Sequence, residues 1–308
     1  MLDKFNKAVR FLFDKGYRWL VLGSFGKCKD VDDKEYLETV FDAAVGYPLN
    51  LDDPKTFNEK IQWLKLYNRN PQYTSLVDKY EVKQYISTVL GDSFLIPTIG
   101  VWNNFEDIDF ERLPNRFVLK CTHDSHGLVI CKDKVMFDKK IAKKKISHCL
   151  RKNFYWLGRE WPYQNVIPRI IAEEYIEEKE TKELRDYKFF VFNGKVKCFK
   201  IDYNRFTSHG SCYFDVEGNQ LPFSEKLFNK ELTTNLRIPD NLHKMIEIAE
   251  KLAADMPFVR VDLYNVDGQI LFGEFTFYPA SGFGSFTSNE WDVKLGNWLD
   301  LSNIQKTE

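Results

Sequence analysis

Four residues have the types and the spacing to handle a phosphoryl group: Arg260, Asp262, Glu274 and Thr276. They sit at alternate positions of two runs that read as the arms of a β-hairpin. Side chains at i and i+2 of a strand share a face, so Arg260 and Asp262 point away from Val259, Val261 and Leu263. On the return arm Glu274 and Thr276 separate in the same way from Leu271, Phe275 and Phe277. Two carboxylates on rigid strands, completed by water and substrate phosphates, suit Mg²⁺. An Arg beside them can hold a phosphoryl oxygen while the metal neutralises charge. The plainer alternative is a surface hairpin with a cross-strand Arg–Glu pair, a contact worth little.

Whether the two acids meet depends on the turn, Asn265-Val266-Asp267-Gly268. A two-residue Asp-Gly loop pairs Asp262 with Gly273 and sends Glu274 to the opposite face. A type I turn followed by Gly268 as a bulge makes a three-residue loop, and this is the register expected. It sets Glu274 across from Arg260 and diagonal to Asp262, about 7–8 Å away at the Cα level. It also collects Val259, Val261, Leu263, Leu271, Phe275 and Phe277 on one buried face.

The elements that must carry this hairpin belong to a chain of 308 residues, 44% apolar and 29% charged, enough for a sizeable core and two or three lobes. A net charge of −1 gives no global attraction to nucleic acid or to anionic membrane, leaving only local basic patches. No apolar run reaches the ~20 residues that span a bilayer. Six widely spaced cysteines without a Cys-x-x-Cys pair read as reduced thiols of a cytosolic protein. Cys121, His123, His126 and Cys131 match no usual zinc spacing.

Helical and strand periods alternate along the chain. Thr56-Phe57-Asn58-Glu59 is a capping box followed by Phe57, Ile61 and Leu64 at helical spacing. A second helix starts at Asp78 and carries the stripe Val82, Tyr85, Ile86, Val89 and Leu90 before stopping at Gly91. A short strand is expected over residues 96–101, two apolar strands over 117–121 and 128–131, and a basic helix from Asp138 to about residue 152. In that helix Ile141, Ile146, Cys149 and Leu150 face inward and the Lys run is a solvated face. Residues 170–172 form a strand that exits into Glu173-Glu174-Tyr175-Ile176-Glu177. Asn193-Gly194 joins two alternating runs as a hairpin, with Tyr187, Phe189, Val191, Val196 and Cys198 on one face and Lys188 on the other. A helix from Asp240, buried along Leu242, Met245, Ile246, Ala249, Leu252 and Ala253, leads into the Arg260 hairpin. The whole is an α+β protein.

An ATP site needs a Lys for the phosphates, a mobile loop above them, a strand edge for adenine and acids for Mg²⁺. Lys79, Lys120, residues 122–127, residues 173–176 and the hairpin acids supply these in chain order. The order and the motifs resemble the ATP-grasp superfamily and, within it, the TupA-like group associated with polysaccharide and teichuronopeptide biosynthesis, over residues 53–301. The resemblance implies an ATP-grasp fold: a mainly helical N-terminal region (1–112), a small strand-and-helix lid (113–172) and a larger antiparallel-sheet subdomain with the metal and substrate site (173–308).

It further implies that ATP is bound by Lys79 and Lys120, by a loop containing His123, Ser125, His126 and Gly127, and by a hinge of Glu173, Glu174, Tyr175, Ile176 and Glu177. That loop has one glycine where the family has a glycine-rich run. Lys188, Arg185 and Arg260 are implied to face the transferred phosphoryl group, and Asp262, Glu274 and Thr276 to hold Mg²⁺, with Thr276 standing where many members have Asn. Residues 279–284 frame the acceptor. The implied reaction is ATP-dependent ligation of a carboxylate to an amine through an acyl phosphate, with the two substrates small or linked to a glycan. The implied setting is the cytoplasm, at the inner membrane face where glycans are assembled. A metal-dependent glycosyltransferase is the rival, since Asp30-Val31-Asp32 and Asp107-Ile108-Asp109 can be read as Asp-x-Asp.

Overall fold

A computed structural model describes residues 2–179, 182, 184–203, 210–226 and 236–307 of the chain. The capping box forms: the Thr56 hydroxyl accepts from the Glu59 N–H at 3.1 Å, and the Glu59 carboxylate accepts from the Thr56 N–H at 2.9 Å. It starts α4 (Phe57–Tyr67), which sends Phe57, Ile61 and Leu64 into the main core. The other sides of α4 are buried too, with Asn58, Gln62 and Lys65 each at 2% exposure or less, so their polar atoms must find partners inside the protein. Before α4 come α1 (Leu2–Phe13), which lies against α2 (Lys15–Ser24), and α3 (Asp33–Val45); α2 and α3 enclose a small cluster at Cys28, Tyr36, Leu37 and Val40. After it come α5 (Gln72–Val77) and α6 (Val82–Leu90), whose start is held by the Asp78 carboxylate accepting from the Tyr80 and Glu81 N–H groups.

Two antiparallel sheets follow. The small one has the order β1 (Thr98–Trp102), β4 (Ile170–Glu174), β2 (Phe117–Cys121), β3 (Leu128–Cys131), backed by α7 (Lys139–Leu150). It takes in β1 and runs to Glu174, so it crosses the limits expected at residues 113 and 172. The reason is that Ile170, Ile171 and Ala172 are fully buried and β4 needs a bonded strand along each edge. The large sheet has the order β7 (Gly210–Phe214), β6 (Lys195–Tyr203), β5 (Asp186–Phe192), β8 (Phe258–Val266), β9 (Gln269–Thr276). α9 (Leu242–Leu252) and α10 (Asn289–Trp298) join its core, and the short α8 (Tyr155–Gly158) packs against α2. Among the described residues no helix is long and apolar enough to cross a membrane.

Several sequence expectations are corrected. Val266 pairs with Gln269, so the hairpin loop is the two residues Asp267 (φ 52°) and Gly268 (φ 89°), not three. Left-handed φ at both positions makes a turn whose twist suits the strands. The extra residue lies further along as a bulge at Gly273, where a Cβ would stand only 3.0 Å from the Asp262 carbonyl oxygen. The bulge puts Asp262 directly opposite Glu274, and Arg260 opposite Thr276 rather than Glu274. It also brings Ile270 and Phe272 into the main core, while Leu271 pairs with Tyr264 and stays outside it. A bulge after Phe190 likewise pairs Cys198 with Phe190, in the file of Lys188. On α7 the inward residue is Ala142, and Ile141 is exposed; on α9 Ile248 is buried and Ile246 only partly so, because each stripe is rotated by one contact.

Candidate active site

The large sheet presents one row of side chains across all five strands. Tyr213 on β7 pairs with Lys200 on β6, Lys200 with Lys188 on β5, Lys188 with Asp262 on β8, and Asp262 with Glu274 on β9. Two residues along, Asp186 pairs with Asp202, so acids lie beside the two lysines on the same face. Lys188 donates to Asp186 and, at 2.6 Å, to Asp262; Arg260 grips Asp262 with two bonds at 2.6 and 2.7 Å. Lys200 donates at 3.1 Å to Glu225, which also accepts from Tyr213 at 2.7 Å. Burial opposes these charges, yet pairing outweighs it. Lys188 is held above its ordinary pKa by Asp186 and Asp262, and Asp262 below its own by Arg260 and Lys188.

The small sheet forms the opposite wall. Lys120 on β2 and Lys83 on α6 both reach Glu173 of β4, at 2.5 and 2.6 Å. Burial pushes the Glu173 carboxyl up, and the two ammonium groups bring it below its ordinary value. Lys79 donates at 2.6 Å to the Asp124 carbonyl, and the Asp124 carboxylate accepts from the Gly127 N–H at 2.8 Å, which fixes the loop after β2. Between the walls lies a cleft of about 1500 Å³, room for a nucleotide and a second molecule.

At one end of the cleft, Ala280, Ser281 and Gly282 are left-handed in succession (φ 49°, 54° and 63°). Such a run persists only where its surroundings hold it. Here α4 does so: Gln62 donates to the Ser281 and Gly282 carbonyls at 3.1 and 2.7 Å, Lys65 to that of Ser281 at 2.6 Å, and Asn58 to that of Gly284 at 2.8 Å. The Ser281 hydroxyl donates to Glu160, a buried carboxyl on the cleft wall. Burial raises the Glu160 pKa against the pull of Lys65.

Residues 59–300 match the family model described as TupA-like ATPgrasp. The chain belongs to the TupA-like ATP-grasp family. Similar solved structures include D-alanine–D-alanine ligase from Bacillus anthracis (16% identity, TM-score 0.39, 66% of this chain and 57% of that one). A RimK domain ATP-grasp protein from Sphaerobacter thermophilus is 12% identical at TM-score 0.40, over 76% and 70% of the two chains. Phosphoribosylamine–glycine ligase from Thermotoga maritima is 13% identical at TM-score 0.41, over 68% and 51%. The chain spans little more than half the length of the Bacillus ligase. None of the curated proteins matches it.

Within this ATP-grasp chain the cleft is lined by Lys79, Lys120, Ser125, His126, Gly127, Glu173, Glu174, Tyr175, Ile176, Lys188, Arg260, Glu274 and Thr276. Asp262 stands directly behind, held by Arg260 and Lys188. Three expected residues lie elsewhere. His123 is buried with its Nε2 near the Cys149 and Lys152 carbonyl oxygens, Glu177 pairs with Arg116 at 2.8 Å, and Arg185 lies between the cleft-lining Leu184 and Asp186 without lining it. The tight loop after β2 accounts for His123. Asp32 caps α3 and Asp107 accepts from Asn104, so neither Asp-x-Asp triplet reaches the cleft.

Sequence reading missed Lys83, Glu160, Lys200, Asp186, Asp202 and Glu225. Lys83 was within reach, being one helical turn beyond Lys79. For the divalent ion that an ATP-grasp fold implies, no three His, Cys, Asp or Glu side chains form a cage among the described residues. Mg²⁺ is held by one or two carboxylates with phosphate and water, so a cross-strand pair of which Glu274 is 41% exposed fits that chemistry.

Proposed function

We propose that this chain is an ATP-dependent carboxylate–amine ligase. The observation that carries the reading is the cleft itself, with the Lys83–Glu173–Lys120 cluster on one wall and the Lys188–Asp262–Glu274 row on the other. On this reading residues 113–172, with β1, act as the lid. Lys79 and Lys120 bind the nucleotide phosphates, backbone and side chains of residues 173–176 meet adenine, and the loop at residues 124–127 keeps water from the reacting groups. Asp262 and Glu274, with Thr276 beside them, would hold Mg²⁺, which neutralises phosphate charge.

A substrate carboxylate oxygen attacks the γ-phosphorus, the bond to the β-phosphate oxygen breaks, and ADP leaves. Lys188 and Arg260 stabilise the charge on the phosphoryl oxygens during that transfer. An amine then attacks the acyl carbon, inorganic phosphate departs and an amide remains. Glu160, whose affinity for a proton is raised by burial, stands by the acceptor loop to take the proton that the amine loses. Membership of the TupA-like group supports a uronic acid of a surface polysaccharide or its precursor as the carboxylate, and an amino acid or amine as its partner, in the cytoplasm. The test is a thermal-shift panel of Mg²⁺ with a non-hydrolysable ATP analogue against sugar nucleotides. The ATP analogue should stabilise the protein, and stabilisation by a sugar nucleotide alone would overturn the reading in favour of glycosyl transfer.

A further inference from the structure

α1 stands away from the core. From Lys7 to Phe13 every residue except Phe11 is exposed. Val9, Leu12 and Phe13 fall at i, i+3 and i+4, on one side of the helix, and are 38, 64 and 83% exposed. The helix is nevertheless tied to the body: Arg18 of α2 donates to the Leu12 carbonyl at 2.9 Å, and Arg10 to the Ala43 carbonyl at 3.1 Å. An apolar stripe on a fixed helix, left uncovered among the described residues, marks an interaction surface.

Charge says what kind of surface it meets. Residues 7–29 carry six Lys or Arg against the single Asp14, a net +5, while the rest of the chain carries −6. A second copy seated on this stripe would bring like charge against like charge. An anionic phospholipid membrane offers the opposite charge together with an acyl layer for the stripe. We propose that α1 docks this protein on anionic membrane, with Val9, Leu12 and Phe13 at the acyl boundary and the exposed Lys15, Lys27 and Lys29 of the basic segment at the headgroups. The acidic remainder would then be turned from the surface by the same field. This inference stands apart from the ligase reading, because it uses none of the cleft.

Co-sedimentation of the full chain with vesicles tests it. Vesicles of phosphatidylcholine with about a third phosphatidylglycerol should bind at least about tenfold more protein than pure phosphatidylcholine, and about 1 M salt should remove the difference. Phe13→Glu should cut binding about tenfold or more, with far-UV circular dichroism and the ATP-analogue thermal shift unchanged. Leu12→Glu, at a second position of the stripe, should do the same. Equal binding to both vesicle types, or Phe13→Glu and Leu12→Glu binding like the parent, would overturn the proposal. So would a concentration-dependent dimer that Phe13→Glu dissolves. A parent protein that binds vesicles but no ATP analogue would count against the ligase reading alone.

Discussion

The two sheets face one cleft but carry charge in different ways. The small sheet and α6 contribute an isolated cluster, Lys83 and Lys120 on Glu173, whose lysine side chains are 14 and 20% exposed. The large sheet sets Lys188, Lys200, Asp186, Asp202 and Asp262 side by side in its middle, each at 5% exposure or less. Burying so many charges costs desolvation that their attraction only just repays, and apolar residues of equal volume would hold such a sheet as well. The lattice is therefore better explained by what it does to a ligand than by what it adds to stability. On the ligase reading Lys83 and Lys120, nearer to water, would exchange Glu173 for a phosphate.

That contrast can be broken in order of expected effect. Lys188→Met removes the cation shared by Asp186 and Asp262 and should destabilise the protein by about 3–5 kcal/mol, measured by urea denaturation. A loss under ~1 kcal/mol would mean that the lattice is solvated and not a strained, committed structure. Glu274→Gln touches the half-exposed end of the same row. It should lower Mg·ATP-dependent turnover about a hundredfold or more and leave the denaturation midpoint within about 0.5 kcal/mol of the parent. This variant is a cleaner probe of the metal role than Asp262→Asn, which also strips Arg260 and Lys188 of their partner. Lys83→Met, on α6 beside the small sheet, should weaken ATP-analogue binding about tenfold by calorimetry, the worth of one charge-assisted contact. Unchanged affinity would assign Lys83 to holding Glu173 alone.

Much of the fold is legible along the chain because its signals are local. The Thr56–Glu59 box, the Asn193-Gly194 turn and the apolar runs of β2 and β3 each specify their element within a few residues. The acids at 262 and 274 were also legible as residues sharing a face. The route by which they share it was not, since two different placements of one extra residue, in the loop or at Gly273, restore the same parity. Covered partners such as the buried Lys200 and Glu160 and the half-buried Glu225 left no signal, because a charge in a strand or loop reads as a surface residue until something is seen to cover it.

Taken alone, the sequence determined most of the strands, the helices α4, α6, α7 and α9, the family they compose, and the chemical types at 188, 260, 262 and 274. Only the tertiary structure decided that Lys188, Asp262 and Glu274 stand in one row, that α4 clamps the left-handed loop, and that His123 turns away from the cleft. Local order follows from near neighbours on the chain. Cross-strand registry and burial instead arise from contacts between residues such as 62 and 282, whose pairing no local pattern encodes.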